Sequence, residues 1–333
     1  MTTITDPGPD IAAERASDVD SAAAAPIEVD EGRHVRIGTA SWTDPTMTAA
    51  GVFYPGSAAN AEDRLQYYAS TFPLVEVDAT YYALPSAATA ELWVERTPPD
   101  FTFDIKAHAL MTGQGTETKR LPKAIRTALP EPVAEKARIY AKDLPAELLD
   151  AVWEAFRDGL EPLREAGQLG SILLQYPRWF FPSSENRAAI EDAAERLGGF
   201  TCAVEFRNGS WLNEKNAERT LRFLTDHGMA FVMVDEPQGF KSSVPPVTAV
   251  TSDLAIVRFH GRNAETWEAK GITPAERFRY LYTRGELEEW APRIREVASD
   301  AKDTHVLMNN CYANYGTTNA REMAAILAGE LSG

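Results

Sequence analysis

The sequence predicts a parallel α/β protein and, within that class, a single-domain (β/α)8 TIM barrel. From Val35 onward, short apolar runs rich in β-branched and aromatic residues alternate with longer segments of helical periodicity. Eight such units occupy the chain from Val35 to its end, and open doubly wound sheets usually contain fewer strands. The chain has 333 residues, of which 44% are hydrophobic, so it can bury a sizeable core.

Residues 1–32 differ in composition from the rest of the chain. They are rich in Ala, Asp, Glu, Pro and Ser, with scarcely any large apolar side chain. Such a segment buries too little apolar surface to offset the entropy lost on ordering. We therefore expect a disordered acidic, alanine-rich tail over 1–32, followed by the barrel over 33–333.

Eight apolar runs are predicted to form the barrel strands, namely Val35–Thr39, Leu74–Asp78, Phe101–Lys106, Leu169–Leu174, Thr201–Phe206, Ala230–Asp235, Leu254–His260 and His305–Asn309. Helical segments follow most of them, near 60–70, 86–96, 146–166, 184–197, 214–227, 275–299 and 318–330. Gly198 and Gly228 are helix-stop signals after the fourth and fifth helices. Several Pro and Gly residues after the sixth strand predict that its helix is short or absent.

The connection after the third strand is unusually long, from His108 to about Pro145. It contains Gly, Thr, Lys and Pro before a convincing helical pattern begins. Long loops in compact domains are usually functional lids or disordered segments. This one leaves the C-terminal end of a strand, where barrel enzymes build their sites.

The overall charge limits the classes of partner. The chain has 49 acidic and 33 basic residues, a net charge of -16, which argues against a protein that coats nucleic acid. A small anionic substrate remains compatible, because clefts focus their own field. Cys202 and Cys311 are far apart and indicate neither a disulfide framework nor a Cys-based zinc motif.

Targeting and nucleotide-binding signals are absent from the sequence. No run approaches the ~20 consecutive apolar residues that cross a bilayer, and the N-terminus lacks the pattern of a secretory signal. We therefore expect a cytoplasmic protein without a membrane partner. Walker, GxGxxG, GxSxG and HExxH motifs do not occur, so ATP-binding, dinucleotide-binding, α/β-hydrolase and metalloprotease functions have no support.

Sequence blocks spread over the folded part of the chain carry a family resemblance. They are IGTASW (Ile37–Trp42) with FYP (Phe53–Pro55), VEVDATYY (Val75–Tyr82), FTFDIKAH (Phe101–His108), LGSILLQYP (Leu169–Pro177), VEFRNGSW (Val204–Trp211), VRFHGR (Val257–Arg262) and MNNCYANYG (Met308–Gly316). As a set they resemble the YecE-like family of bacterial and archaeal proteins, which implies a TIM barrel and no settled reaction. That family commonly has Asn at the position of Asp78, so the local charge differs here.

Polar residues lie at the predicted C-terminal ends of the strands, where barrels place catalytic groups. They are Glu76, Asp78, Lys106, His108, Gln175, Glu205, Arg207, Asp235, Arg258, His260, Asn309 and Asn310, with Arg262 just beyond. Pairs two residues apart, such as Glu205 with Arg207, point to one side of the sheet. We expect them to face the barrel mouth, since charges buried against the helices would be costly.

The cations among these residues suggest an anion site. Arg207, Arg258, Arg262 and Lys106 would suit a sugar phosphate, a sugar acid or a phosphodiester. Glu205 and His260 are the candidates for proton transfer, and Lys106 is either a base or Schiff-base nucleophile or an electrostatic clamp. The structural alternative is that Glu205 forms buried ion pairs with Arg207 or Arg258 that close the core.

Nine aromatic residues follow the same strand ends: Trp42, Tyr81, Tyr82, Tyr176, Trp179, Trp211, Trp267, Tyr312 and Tyr315. Flat faces beside hydrogen-bonding groups suit a sugar ring or a nucleobase. The alternative for any single member is loop packing. We assign substrate binding to Trp42, Tyr82 and Trp211 in this group.

The sequence leaves three functions open. The leading hypothesis is an enzyme that isomerises, epimerises or cleaves a small anionic, carbohydrate-like molecule by proton transfer, with no cofactor firmly implied. The alternatives are a metal-dependent phosphodiesterase resembling endonuclease IV and a non-catalytic binding protein. A divalent metal, if used, would be held by Glu205, Asp235 and His260.

Overall fold

Eight parallel strands close into a barrel in the computed structural model, which describes residues 6–19, 22–49 and 51–331. We number them β1 (Arg33–Thr39), β2 (Leu74–Val77), β3 (Thr102–Lys106), β4 (Leu169–Tyr176), β5 (Cys202–Phe206), β6 (Ala230–Asp235), β7 (Leu254–Phe259) and β8 (Asp303–Met308). Each strand pairs with its neighbour in chain order, and β8 pairs with β1. The predicted TIM-barrel fold is confirmed, with strand ends within two residues of the predicted ones.

The contact between β1 and β2 closes the barrel through a short register, in which Gly38 lies opposite Leu74 and Thr39 opposite Val75. A Cβ atom at position 38 would lie 1.9 Å from the carbonyl oxygen of Leu74. Gly38 is therefore needed for the two strands to approach each other.

The helices surround the barrel, and several of them begin at side-chain caps. Within the described residues, the helices that follow β1 to β5 are Ala61–Ala69, Ala87–Glu95, Ala146–Glu165, Ser184–Leu197 and Ala217–Asp226, and Tyr315–Leu331 follows β8. The side chain of Asn60 accepts from the backbone N–H of Asp63, and Ser183 does the same for Asn186. As predicted, the described chain between β6 and β7 contains no helix. None of the helices in the described ranges is long and apolar enough to cross a membrane.

The segment after β7 is broken where the sequence predicted one helix over 275–299. It forms Pro274–Arg277, Arg284–Glu288 and Ala291–Asp300. Thr273 and Thr283 each form a capping box, with Glu276 and Glu286 respectively. Each box starts a new helix, because it satisfies backbone N–H groups that helix continuation would otherwise satisfy.

The prediction of a disordered tail is wrong for much of residues 6–32. A helix, Pro9–Ser17, buries Ala12 against the last helix, and Arg15 donates twice to Glu322 at 2.9 and 2.6 Å. A strand, Ile27–Asp30, pairs antiparallel with β1. Composition misleads here because the barrel supplies the surface and the partners that offset the ordering entropy. Residues 1–5, 20 and 21 lie outside the described residues.

The long connection after β3 is also ordered. It contains a two-stranded hairpin, Thr116–Glu117 with Arg138–Ile139, and two short helices, Lys123–Thr127 and Glu131–Ala134. Leu110, Ile125 and Ile139 anchor it through burial in the core. The connection after β3 is therefore an ordered segment that packs beside the barrel mouth.

Candidate functional site

A buried ion triad spans the inside of the barrel. Arg258 donates from Nε and Nη2 to the two oxygens of Glu76, at 2.9 and 2.7 Å, and from Nη1 to Oε2 of Glu205. The exposed fractions are 1% for Arg258 and 0% for both glutamates. All three guanidinium nitrogens of Arg258 thus donate to protein carboxylates. This arrangement matches the structural alternative, in which Glu205 and Arg258 form a buried ion pair that closes the core.

A chain of polar contacts connects this triad to the mouth. Oε1 of Glu205 accepts from Gln175 Nε2 at 2.8 Å and lies 3.0 Å from His260 Nε2. Asn309 Nδ2 lies 2.8 Å from His260 Nδ1. Because an ionised carboxylate only accepts and the Asn amide nitrogen only donates, these two contacts fit a neutral His260 with its proton on Nε2. The 3.4 Å approach of Arg207 Nη1 to His260 Nε2 is then a close contact between two donors.

The charge states agree with that tautomer. Burial by itself would raise the pKa of Glu205, but Arg258, His260 and Arg207 hold the pKa well below its usual range. Burial lowers the pKa of His260 to about 4, despite the neighbouring Glu205. At neutral pH the pair is therefore a carboxylate beside a neutral imidazole.

Lys106 and Asp78 form a second pair, nearer to solvent. Lys106 Nζ lies 2.7 Å from Asp78 Oδ1 and 5.0 Å from the centroid of the Tyr81 ring. Burial by itself would lower the pKa of the Lys106 ammonium, but Asp78 and Glu76 together outweigh burial and raise the pKa. A protonated Lys106 fits the role of electrostatic clamp and does not fit that of a base or Schiff-base nucleophile.

Arg207 lies at the base of the mouth between several partners. Its guanidinium stacks over the Trp267 ring at 4.6 Å, and Nη1 is 3.3 Å from Glu205 Oε1. Nε is 3.9 Å from Oε2 of Glu236. None of the described residues accepts a hydrogen bond from Arg207 Nη2, so this nitrogen retains its donors.

These groups lie below a cavity of about 620 Å³ at the barrel mouth. Its described lining includes five cations and two carboxylates: Lys106, Arg178, Arg207, Lys270, Arg277, Asp78 and Glu268. Aromatic and amide side chains complete it, among them Tyr81, Tyr82, Trp179, Trp267, Gln114, Gln175 and Asn309. The mouth is therefore locally cationic in a chain of net charge -16.

Two predicted members, Asp235 and Arg262, lie in a different place. They form a bidentate pair, and Asp235 also accepts from Trp290 Nε1 and from the Tyr282 hydroxyl, both at 2.6 Å. Both line a separate cavity of about 320 Å³. Their predicted position in the mouth is wrong, because the loop and helices after β7 supply stronger partners outside the barrel axis.

His108 and Asn310 also lie away from the mouth cavity. His108 is fully buried, its Nδ1 accepts weakly from the backbone N–H of Leu110 at 3.4 Å, and burial lowers its pKa to about 4. Asn310 donates to the backbone oxygen of Tyr280 and to Asn319 Oδ1, at 2.8 Å each. His108 and Asn310 therefore hold neighbouring loop backbone in place and do not line the mouth cavity.

The aromatic residues divide into three groups. Trp42 packs edge-on against Trp93 and Phe103, and Trp211 is stacked between Phe180 and Phe206, so both belong to the core and not to a ligand platform. Tyr312 and Tyr315 pack beside the N-terminal helix. Those lining the mouth are Tyr81, Tyr82, Tyr176, Trp179 and Trp267.

The candidate metal-ligand set does not assemble. Glu205 and His260 are adjacent, but Asp235 is held by Arg262, Tyr282 and Trp290. Among residues 6–19, 22–49 and 51–331, no group of three or more His, Cys, Asp or Glu is arranged to hold a metal ion.

Several residues at the site are not among the predicted ones. Arg178 and Lys270 line the mouth from loops after β4 and β7, Arg277 from the short helix Pro274–Arg277, and Gln114 from the connection after β3. Glu236, one residue beyond β6, is 2% exposed and near Arg207. Of these residues only Glu236 could have been found from the sequence, because it is a carboxylate directly after a buried strand. The direction in which a side chain of a loop or a short connecting helix points depends on the folded structure, so the other residues could not.

The fold and the mouth together define the class: a TIM-barrel protein with a polar, locally cationic cavity at the C-terminal ends of its strands. The family model "Protein of unknown function DUF72" matches residues 36–332. The chain belongs to this family, as the YecE-like resemblance implied.

Two relatives are similar in sequence to this chain along most of its length. UPF0759 protein YunF of Bacillus subtilis is 33% identical over 90% of this chain and 96% of its own length. UPF0759 protein YecE of Escherichia coli K12 is 26% identical over 70% of this chain and 76% of its own length.

Solved structures give the same result for the fold. A DUF72 family protein from Thermotoga maritima has a TM-score of 0.68 at 31% identity, covering 88% of this chain and 98% of its own. One from Enterococcus faecalis has a TM-score of 0.68 at 26% identity, covering 89% of this chain and 98% of its own.

Proposed function

We propose that the protein is an enzyme that acts on a small anionic, carbohydrate-like molecule in the barrel mouth, by proton transfer of the isomerase, epimerase or lyase type. The observation that carries this proposal is the cationic lining of the mouth in a chain of net charge -16. Clefts with low-dielectric walls focus such a potential and concentrate anions.

The volume and the lining of the cavity support a sugar-sized ligand. Its volume of about 620 Å³ lies within the range of small-molecule sites. Trp179 is 61% and Tyr82 41% exposed, and both line the cavity, so each offers a flat face to an apolar ring surface. Gln175 and Asn309 provide donors and acceptors for hydroxyl groups.

Arg207 is the proposed anion clamp. The Trp267 ring fixes its plane, and Nη2 has donors to offer because no acceptor of the described chain takes them. A guanidinium presents a planar fork that matches a carboxylate or phosphate. Lys106 adds a point charge on the adjoining wall.

His260 and Glu205 are the proposed proton-transfer pair. A carboxylate that accepts from one imidazole nitrogen fixes the tautomer and stabilises the imidazolium formed when the other nitrogen takes a proton. Here the other nitrogen, Nδ1, contacts Asn309, which lines the cavity. His260 is itself buried, so we propose that ligand binding moves the Asn309 side chain away from Nδ1.

The test begins with a thermal-shift screen of sugar acids and sugar phosphates beside their neutral parent sugars. Ligands that raise Tm are then incubated with protein in D2O and followed by proton NMR. We expect anionic ligands to stabilise the protein, and deuterium to enter at the carbon that loses its proton. His260→Asn should retain binding but reduce exchange by about 10²–10⁴-fold.

Arg222→Gln, on an exposed helix surface, is the control and should behave as wild type. Equal stabilisation by the neutral sugars would contradict the anion site. Bound ligands recovered unchanged and without deuterium would identify a binding protein instead of an enzyme.

A further inference from the structure

The floor of the mouth pairs cationic side chains with carboxyl groups, of which Glu76 has its pKa raised to about 7 by burial, although Arg258 and Lys106 oppose the shift. We define the floor as Lys106, Arg207, Arg258, Asp78, Glu76 and Glu205, three cations and three carboxyl groups. Asp78 pairs with Lys106, and Glu76 and Glu205 enclose Arg258. Arg207 Nη1 lies 3.3 Å from Oε1 of Glu205, so Glu205 contacts both Arg207 and Arg258. Further positive charge in the cavity comes from its outer walls, where Arg178, Lys270 and Arg277 lie.

Access to this floor is uneven. The side chains of Glu76, Glu205 and Arg258 are at most 1% exposed. Those of Asp78, Arg207 and Lys106 are 35%, 17% and 13% exposed and line the cavity. Within the described floor, Asp78 is thus the one carboxylate that a ligand meets directly.

We propose that Asp78 determines specificity, so that the mouth selects polyhydroxy monoanions, such as sugar acids, over phosphate dianions. This inference rests on the proposed function and names its substrate class. Arg207 takes the single carboxylate of the ligand, and the Lys106–Asp78 pair takes a hydroxyl group.

The geometry of the pair explains this preference. Lys106 Nζ is held 2.7 Å from Asp78 Oδ1 and over the Tyr81 ring. A ligand hydroxyl can accept from the ammonium and donate to the carboxylate at the same time. A second negative charge at Lys106 would lie beside Asp78, and like charges brought together oppose binding.

The test compares D-gluconate, a monoanion, with D-glucose 6-phosphate, which carries close to two negative charges above the second phosphate pKa of about 6. Affinities of wild type and Asp78→Asn are measured by calorimetry at pH 7.5. We expect wild type to bind gluconate more tightly. Asp78→Asn should bind the phosphate about tenfold more tightly, equivalent to about 1.4 kcal/mol, while gluconate affinity stays unchanged or falls.

Glu268→Gln is the matched control, because it removes one charge from the same cavity without touching Lys106. It should leave the preference for gluconate in place. An equal gain for both ligands in Asp78→Asn, or a wild-type preference for the phosphate, would overturn the role of Asp78 alone. Absence of binding by either probe to both proteins would overturn the proposed anion site together with it.

Discussion

At the scale of single residues, Arg258 shows how a charged side chain can occupy a barrel interior. Two carboxylates surround it, and its contacts leave both glutamates with hydrogen-bond partners. Buried ion groups of this kind add little net stability against apolar replacements, but removing one partner leaves uncompensated charge. The triad therefore fixes the geometry beneath the mouth and is sensitive to substitution.

Arg258→Met should be strongly destabilising. It removes the guanidinium that both Glu76 and Glu205 contact and leaves Glu205 with the longer 3.3 Å contact to the Arg207 guanidinium. We expect a loss of about 3–5 kcal/mol in the free energy of unfolding. Denaturant titration measures it. The loss should shrink at acidic pH, where the unpaired carboxyls become protonated; a loss below about 1 kcal/mol, comparable to that of an exposed ion pair, would show that the triad is not buried as described.

Glu236 gives a pH-dependent prediction. Burial raises its pKa to about 7, although Arg207 and the Val244 N–H oppose the shift. The folded state then holds a proton that the unfolded state releases near pH 4.5, so this group's stabilising contribution is complete below that pH and lost as pH rises through about 7. Glu236→Gln lacks this loss and should gain about 1–3 kcal/mol relative to wild type between about pH 5 and pH 8.

Unfolding free energies measured across that range provide the check. Glu268→Gln serves as the comparison, because Glu268 is exposed at the mouth. A constant difference between Glu236→Gln and wild type over the whole range would contradict a raised pKa for Glu236.

The candidate residues show what strand-end reasoning can predict. Lys106 and Glu205 lie at the C-terminal ends of their strands and His260 follows directly after β7, and the alternation of strand side chains gives their direction. Asp235 also ends a strand, yet its partners Tyr282 and Trp290 come from the segment after β7. Local spacing does not encode which distant residues supply the partners, so that pairing was not predictable.

At the scale of secondary-structure elements, closure between β1 and β2 depends on one close approach. Gly38→Ala places a methyl group against the Leu74 carbonyl, where a Cβ would lie 1.9 Å from the oxygen. Forcing the strands apart should cost about 3 kcal/mol, the upper end of typical overpacking penalties. Thermal unfolding of the variant measures this cost.

Gly285→Ala is the matched control. Position 285 lies in the helix Arg284–Glu288, and a Cβ there meets no atom within 4 Å. Alanine should stabilise it by about 0.5–1 kcal/mol. Equal effects of the two substitutions would refute the tight closure.

The strands were easier to predict than the segments that join them. Each barrel strand is a short run of apolar, β-rich residues, a signal that survives in the fold because both faces are buried. The broken helix after β7 and the docked helix Pro9–Ser17 depend instead on capping boxes and on a barrel surface that helical periodicity does not reveal.

At the scale of the whole molecule, the distribution of charge matters more than its sum. The net charge of -16 repels anions at long range, whereas the outer mouth presents Arg178, Lys270 and Arg277. Salt screens the long-range repulsion more than it screens contacts inside a cleft. An anion bound at Arg207 should therefore lose only part of its affinity at high ionic strength.

The most direct test of the account is calorimetric titration of wild type and Arg207→Gln with the sugar acid or sugar phosphate that raises Tm most. We expect the variant to bind at least about tenfold more weakly, since a hydrogen bond to a charged group contributes about 1.5–3 kcal/mol, with Arg222→Gln unchanged. Equal affinities of wild type and Arg207→Gln would contradict the central claim that the barrel mouth is an anion site built around Arg207.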